Sequence, residues 1–394
     1  YQGVNLSRAA ARALYGLTLE NSVSRLETYA ACAYRHFLQY GLSLEEREEF
    51  GFESVDMGNV FHAVLESFAM MLKDSDYTWF DFPKEFGEKK VLEALEAYAA
   101  EYGETILYSN ARNEYAITRM ARVLTRTILT LQSQLQKGEF QPDAVEKSFY
   151  YTDDLDSVNV ALSEEEKMRL KGRIDRIDTA EDKEHVYVKV IDYKSGNRQF
   201  DLAALYYGLQ LQLVVYMNAA MELEARKHPD KEVVPAALLY YHIEDPTVET
   251  PVELSEEELN EEILSKLRMK GVVNDSEAVV EKLDRFMGSK SDVIPVERKK
   301  DGSFSARSSV MSAKELRVMS DYVTEKVRCL GKEILDGKIG LSPYEMGNES
   351  ACTYCAYKKV CGFDPSIPGY ETRVFKSMDK EEAIKRMEAF GKNA

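Results

Sequence analysis

Two carboxylates and an amine stand close together near the middle of the chain. Asp192 and Lys194 are two residues apart in VIDYKSG, and Asp175 lies upstream in GRID. Acids at the ends of two paired strands, with a lysine beside one of them, can hold a divalent cation and a water against a phosphodiester. Hard cations prefer carboxylate and carbonyl oxygen. Asp175, Asp192 and the backbone carbonyl of Tyr193 are therefore the candidate ligands for Mg²⁺ or Mn²⁺. Hydrolysis needs an in-line water, relief of phosphate charge and a stabilised leaving oxygen, and one or two such ions supply all three. Lys194 would orient the water or offset the growing negative charge. Taken alone, a D-x-K pair is more often a strand-end salt bridge, because short motifs carry a high false-positive risk.

Other residues fit the same chemistry. In GNVFHAVLE, Gly58, His62 and Glu66 recur at i, i+4 and i+8, on one face of a helix. The His62 imidazole can ligate Mn²⁺ or hydrogen-bond a water held there; the competing reading is a partly buried, satisfied histidine, with Glu66 a surface acid. Gln212 and Tyr216, one helical turn apart in QLVVY, can face the same centre and touch a substrate strand, or else serve as a cap and a core ring. Gln210 points from a different face. Arg173, Arg176 and Arg198 are candidate DNA contacts, against a reading as solvated charge. Tyr206 and Tyr207 can stack on bases or pack in the core.

A second constellation is made of thiols. Cys32 lies near the start of the chain, and Cys352, Cys355 and Cys361 form C-x2-C-x5-C near its end. Three cysteines in ten residues point to metal ligation, and four thiolates are the complement of either an iron–sulfur cluster or structural zinc. The spacing alone does not separate the two, and buried small thiols are a third reading. Cys329 stands apart as a core thiol.

The elements that must position these residues are readable from periodicity. Runs at 144–151, 168–178, 185–194 and 233–243 are β-rich and bounded by turn or charge signals. Val186, Val188, Val190, Asp192 and Lys194 share parity, so a regular strand puts them on one face. Gly172 permits close backbone approach, and Gly196 ends the strand. Helical spacing is expected from Ser24 to about residue 40, with Ser24 and Glu27 as a capping box. It is also expected over 57–73, 115–135, 201–226, 255–287 and 312–336. The polar stretch VERKKDGSFSARSS reads as a mobile loop. The division expected is a helical region over 1–140, an α/β core over 141–250, a helical insert over 251–340 and a cysteine closure with a terminal helix over 341–394. These parts form one integrated unit: a central α/β sheet wrapped by helices.

Composition bounds the rest. The 394 residues are 44% hydrophobic and 30% charged, enough for a large core in a soluble chain. The longest apolar runs fall short of the roughly 20 residues that span a bilayer, and the N-terminus lacks a basic flank before an apolar segment. Five cysteines in a chain of this length do not read as an extracellular disulfide framework, so a reducing cytoplasm is the expected location. The first residue is Tyr1, which is expected of a segment of a longer polypeptide. The net charge of −17 opposes nonspecific coating of nucleic acid. Much of that acid is blocked at 45–49, 164–166 and 256–262, which leaves room for a locally basic groove. The sequence has no G-x4-G-K-[ST] loop, so no ATP hydrolysis is expected of it.

In the order GNVFHAVLE, GRIDRID, VIDYKSG, QLVVY, the chain resembles the RecB-like branch of the PD-(D/E)xK nuclease superfamily. That branch carries a helix-borne His, an Asp, a D/E-x-K pair and a Q-x-x-x-Y helix. His62, Asp175, Asp192, Lys194, Gln212 and Tyr216 fall on matching positions. The four cysteines, with SVSRLETYAACAYRHFLQYGL ahead of the His helix, further resemble the iron–sulfur nuclease domains of the AddB family over roughly 22–370. The resemblance implies a restriction-endonuclease-like mixed sheet, a Mg²⁺- or Mn²⁺-dependent deoxyribonuclease and a [4Fe–4S] cluster on Cys32, Cys352, Cys355 and Cys361. It implies a DNA partner, single-stranded, delivered by an AddA-like helicase–nuclease subunit during recombinational break repair. The alternatives are a free-standing iron–sulfur exonuclease, such as exonuclease V, and a catalytically silent module for DNA binding or docking.

Overall fold

The computed structural model describes residues 3–46, 54–101, 111–149, 155–249 and 254–391. Helix α1 (Arg8–Tyr15) leads into β1 (Thr18–Ser22), α2 (Val23–Ala31) and α3 (Ala33–His36), followed by a π-turn, Phe37–Gly41. Three long helices come next: α4 (Ser54–Lys73), α5 (Lys84–Glu101) and α6 (Ala111–Gln136). The sheet is then laid down by β2 (Gln141–Phe149), β3 (Asn159–Ala161), β4 (Lys167–Glu181) and β5 (His185–Lys194). After α7 (Leu202–Tyr207) and α8 (Gln212–Lys227) it continues with β6 (Glu232–His242), α9 (Glu256–Lys266), β7 (Lys270–Asn274), α10 (Glu277–Leu283) and β8 (Val310–Met311). The closing elements are α11 (Ala313–Leu335), β9 (Tyr344–Met346), β10 (Glu349–Ser350), α12 (Lys358–Cys361), β11 (Arg373–Phe375) and α13 (Lys380–Gly391). No described helix is long and apolar enough to cross a membrane.

The main sheet is mixed, in the order β1-β4-β5-β6-β7-β8, with β2 and β3 also paired to β4. Period-2 alternation divides its residues between two cores. Val188, Val190, Leu238, Tyr240 and Val272 pack with α2, α8 and α11 on one face. Tyr187, Ile191, Tyr193, Leu239 and Tyr241 pack with α4, α5 and α6 on the other. This is the mixed α/β architecture expected, and the shared parity of Val188, Val190 and Asp192 holds. The first core joins Leu19, Val23 and Leu26 to Ala383 and Met387, so both ends of the sequence close over the same face.

Four local expectations are corrected. The first helix does not run on to residue 40: Cys32 is extended (φ −161°, ψ 111°) and separates α2 from α3. Its N-cap is Ser22, whose side chain accepts the Arg25 N–H, so Ser24 and Glu27 form no capping box. The expected helix over 201–226 is two helices, because Gly208 takes the left-handed conformation (φ 85°) that a side chain disfavours. Residues 255–287 contain β7 between α9 and α10; Val272 and Val273 are more valuable to the sheet than to a helix that would expose one of them. The polar stretch VERKKDGSFSARSS forms a loop, as expected, folded on itself with Arg298 bridged to Phe304 and ion-paired with Glu277 at 2.7 Å.

Candidate active site

The carboxylates meet where a ladder ends. β4 and β5 pair antiparallel as far as Arg176 opposite Ile191. The next opposing residues in that register are Asp175 and Asp192, and there the pairing stops. On the far side of β4, Val145 lies opposite Arg176 and Lys147 opposite Ile174, which sets Glu146 beside Asp175. Three acids therefore stand in a row across β2, β4 and β5, and all three are buried. β4 stays paired with β2 beyond this point, as far as Gly172 opposite Phe149, and β5 stays paired with β6 as far as Lys194 opposite His242.

Each acid has a distinct environment. The Tyr193 N–H donates to Asp175 Oδ2 at 2.6 Å. Burial, followed by the charge of Asp192, pushes the Asp175 carboxyl up to about 8, against the pull of His62. Asp192 is fully buried, with Oδ2 2.5 Å from Lys194 Nζ. Its Oδ1 has no hydrogen-bond donor among the described residues. A buried charged oxygen without a donor is costly, and a cation would relieve that cost. Glu146 places Oε1 3.1 Å from His62 Nδ1 and Oε2 2.7 Å from Arg173 Nε. Its backbone is left-handed (φ 51°), an uncommon conformation for a non-glycine residue.

His62 reaches this row from α4. Its Nδ1 is 3.5 Å from Asp175 Oδ1, and single atoms of His62, Glu146 and Asp175 all lie within 4.8 Å of one another. Burial lowers the His62 pKa, but the Glu146 hydrogen bond and the charges of Asp175, Glu146 and Asp192 outweigh it, so the net shift is upward. From the opposite side, Gln212 Oε1 accepts from Lys194 Nζ at 3.2 Å, and the Gln212 amide donates to the Tyr216 hydroxyl at 3.0 Å. His62, Asp175, Asp192, Lys194, Gln212 and Tyr216 all line one open cleft of about 540 Å³, with Glu66 and Arg173 on its wall. A donor set of carboxylates and imidazole fits a hard divalent cation. Tyr193 contributes backbone here: its N–H holds Asp175, while its ring is buried on the other face of the sheet.

The three arginines part company. Arg173 is half-exposed at the rim, between Glu146 and Glu66. Arg176 is 1% exposed and gives both ends of its guanidinium to Asp178, at 2.6 and 3.2 Å. The expectation of a DNA contact at Arg176 is therefore corrected; alternation sends it to the sheet face away from the cleft, where Trp79 covers it at 4.8 Å. Arg198 pairs with Glu27 at 3.4 Å and donates to the Leu209 carbonyl at 3.1 Å. Tyr206 stacks on Tyr322, and Tyr207 stacks on Phe375 at 3.9 Å between ring centroids, so each has one face occupied by a protein ring. Gln210 serves its own loop, accepting from the Asp201 N–H and donating to the Gln199 carbonyl.

The four thiols converge elsewhere. Cys32, Cys352, Cys355 and Cys361 line a single small cavity with Leu38, Leu341, Ala351 and Phe363. Burial raises the Cys32 and Cys352 pKa values, and each senses another of the four: Cys352 acts on Cys32, while Cys355 and Cys361 act on Cys352. Four thiols around one cavity fit a thiolate-bound metal centre. Cys329, on α11, does not line that cavity.

Two participants escape sequence reasoning. Glu146 is the single acid in an otherwise β-rich run, AVEKSFYY, but nothing in that run says which residue of β4 it will oppose. Glu27, expected to cap its own helix, instead accepts the backbone N–H groups of Leu211 and Gln212 at 2.7 and 3.2 Å.

Known proteins share this framework. The family model of the PD-(D/E)XK nuclease superfamily matches residues 20–362. An ATP-dependent helicase/deoxyribonuclease subunit of Lachnoclostridium phytofermentans is 44% identical, covering 98% of this chain and 34% of that protein. The proteins of the same name from Bacillus mycoides and Alkaliphilus metalliredigens are 38% and 35% identical, covering 97% and 96% of this chain and 33% of each relative. The chain thus spans about a third of the length of the curated relatives it matches.

Proposed function

Because the chain belongs to the PD-(D/E)XK nuclease superfamily, we propose that its cleft hydrolyses phosphodiester bonds of a single DNA strand by water attack at phosphorus. The observation that carries this reading is the pair of buried carboxylates, Asp175 and Asp192, lining one open cleft together with Lys194, whose Nζ lies 2.5 Å from Asp192. Asp175, Asp192 and His62, with the Tyr193 carbonyl, would hold Mg²⁺ or Mn²⁺, which supplies Lewis-acid polarisation and relief of phosphate charge. Lys194 holds its ammonium beside Asp192, where it orients the water and offsets charge growing on the phosphate. Gln212 keeps that ammonium in position from the other side, and Tyr216 keeps the glutamine. Arg173 offers a half-exposed guanidinium at the rim, suited to a phosphate.

The cysteine cavity supports a [4Fe–4S] centre that ties the start of the chain to its end, with Zn²⁺ as the alternative. Brown protein with broad absorbance near ~400 nm, lost on oxidation, is the expected outcome; colourless protein with stoichiometric zinc would reverse the choice. The relatives' name supports a role within a helicase–nuclease complex. We assign that complex to the cytoplasm, with an AddA-like subunit beside this chain, in recombinational repair of double-strand breaks. A net charge of −17 suits a strand delivered by a motor, which needs little electrostatic capture. The test is cleavage of single-stranded DNA with Mg²⁺ or Mn²⁺ by the intact natural polypeptide and its partners, compared with Asp192→Ala. Cutting by the parent and none by the variant is expected. No cutting by the parent with either cation would overturn the reading.

A further inference from the structure

We propose that helix α2 is a strut coupling the thiol cavity to the catalytic lysine, with Glu27 as its positioning residue. This rests on the nuclease reading of the cleft. Helix α8 carries Gln212 and Tyr216, yet its N-cap residue, Leu211, supplies no side-chain cap. The first N–H groups of a helix have no partner within it. The acceptor comes from α2: Glu27 Oε1 takes the Leu211 and Gln212 N–H groups at 2.7 and 3.2 Å. A carboxylate there is further favoured by the helix dipole. Arg198 completes the clamp by pairing with Glu27 Oε2 and donating to the Leu209 carbonyl. The path to the chemistry is short: Glu27 fixes the Gln212 backbone, and the Gln212 side chain holds Lys194 Nζ at 3.2 Å. Glu27 does not line the cleft, so it acts only through these neighbours.

The other end of α2 belongs to the thiols. Five residues beyond Glu27, about 7.5 Å along a helix axis, the helix stops at Cys32. Its last carbonyls, Ala30 and Ala31, both accept from Arg373 Nη2 at 2.8 Å, while Arg373 Nε donates to the Ser342 carbonyl at 2.7 Å. The C-terminal segment bearing Cys352, Cys355 and Cys361 therefore grips the same helix end that presents Cys32. α2 is two and a half turns long and packs as a unit, so a shift at Cys32 is carried to Glu27 rather than absorbed between them. A metal centre on the thiols would hold the strut in register, and its loss would release the start of α8.

The experiment uses the intact natural polypeptide with its partners and reads two signals: amide hydrogen exchange at Leu211 and Gln212, and steady-state DNA cleavage. Glu27→Ala is expected to lower kcat about 10- to 100-fold with KM for DNA held within about two-fold. The same variant speeds exchange at Leu211 and Gln212 and not in α5 or α6. Glu27→Gln, which keeps the shape and one acceptor oxygen, recovers part of both signals and stands in should Glu27→Ala fail to fold. Removing the thiol-bound metal from the parent with EDTA and ferricyanide is expected to speed exchange at the same two amides, with little further effect in Glu27→Ala. Exchange that quickens around Cys32 and residues 341–363 but not at Leu211 and Gln212 would overturn the coupling, as would a Glu27→Ala enzyme with unchanged kcat. A parent protein that cuts no DNA sinks the nuclease reading instead, and the exchange data alone then decide the strut.

Discussion

Glu146→Gln separates two roles for the acid that completes the carboxylate row. The substitution keeps the shape and removes the charge. In the native arrangement one oxygen is hydrogen-bonded to His62 Nδ1 at 3.1 Å and the other is ion-paired with Arg173 Nε at 2.7 Å, both from a buried position. A hydrogen bond to a charged group contributes about 1.5–3 kcal/mol, and an amide retains one of the two acceptors. The expected net loss is about 1.5–3 kcal/mol in the grip on His62, or a 10- to 100-fold weaker divalent cation, the range typical of groups that orient a ligand. The assay is cleavage rate against Mg²⁺ concentration in the intact polypeptide. The half-saturating concentration should rise by that factor, with the rate at saturation nearly preserved. The Glu146 charge also repels Asp175. If that repulsion were its main effect, Glu146→Gln would tighten metal binding, so a half-saturation that falls or stays put refutes the reasoning. Glu146→Gly supplies a control. The left-handed backbone at φ 51° costs a non-glycine residue about 1 kcal/mol, so glycine should leave the melting temperature level or higher while metal affinity falls. A variant that was merely damaged would lose both.

Three further outcomes are expected. Gly172→Ala would put a Cβ 2.2 Å from Phe149 Cζ, displacing a buried ring that lies edge-on to Tyr216 at 5.7 Å. Denaturant unfolding should show a loss of about 1–3 kcal/mol, and a neutral result would mean that β2 yields freely. Asp178→Asn leaves Arg176 and Lys189 as buried cations without their shared partner, at a cost of about 3–5 kcal/mol. Burial opposes the charged form of Asp178, yet Arg176 and Lys189 hold its pKa below the usual carboxylate value. Its stabilisation is therefore present above the ordinary pKa and lost as pH falls through the lowered one, so acid unfolding scans should be flatter for the variant. His36 sits among the rings of Tyr15, Tyr29 and Tyr40, and burial, helped by Arg25, drops its pKa to about 3. The unfolded chain then binds the extra proton below about pH 6.5, and stability falls by about 2 kcal/mol on going to pH 5. His36→Phe should remove that slope in thermal melts; an unchanged slope would show that other groups set it.

What was legible before folding was local. The alternation in HVYVKVIDYK predicts β5 to the residue and puts Asp192 and Lys194 on the face that Gln212 later meets. The helix spacing that predicts α4 and α6 depends only on neighbours one turn away. Where local signals failed, the deciding partner was distant. Cys32 breaks a helix of good local propensity at the cavity it shares with thiols about 320 residues later. Val272 and Val273 become a strand because β6 offers an edge. Arg176 reads as a surface charge until Asp178 and Trp79 enclose it.

The chemical inventory belongs to the sequence: two acids, a lysine, a histidine, a glutamine–tyrosine pair and four thiols, in an order that names a reaction class. Side-chain chemistry and short-range periodicity travel with the chain, so that much survives without a fold. Folding alone settles that Glu146 stands beside Asp175, that Asp192 keeps an oxygen without a donor among the described residues, and that Glu27 caps a helix other than its own. Those facts follow from strand register and helix docking. Both are set by contacts between segments far apart in sequence, and a one-residue slip in either would turn the same side chains away from the cleft.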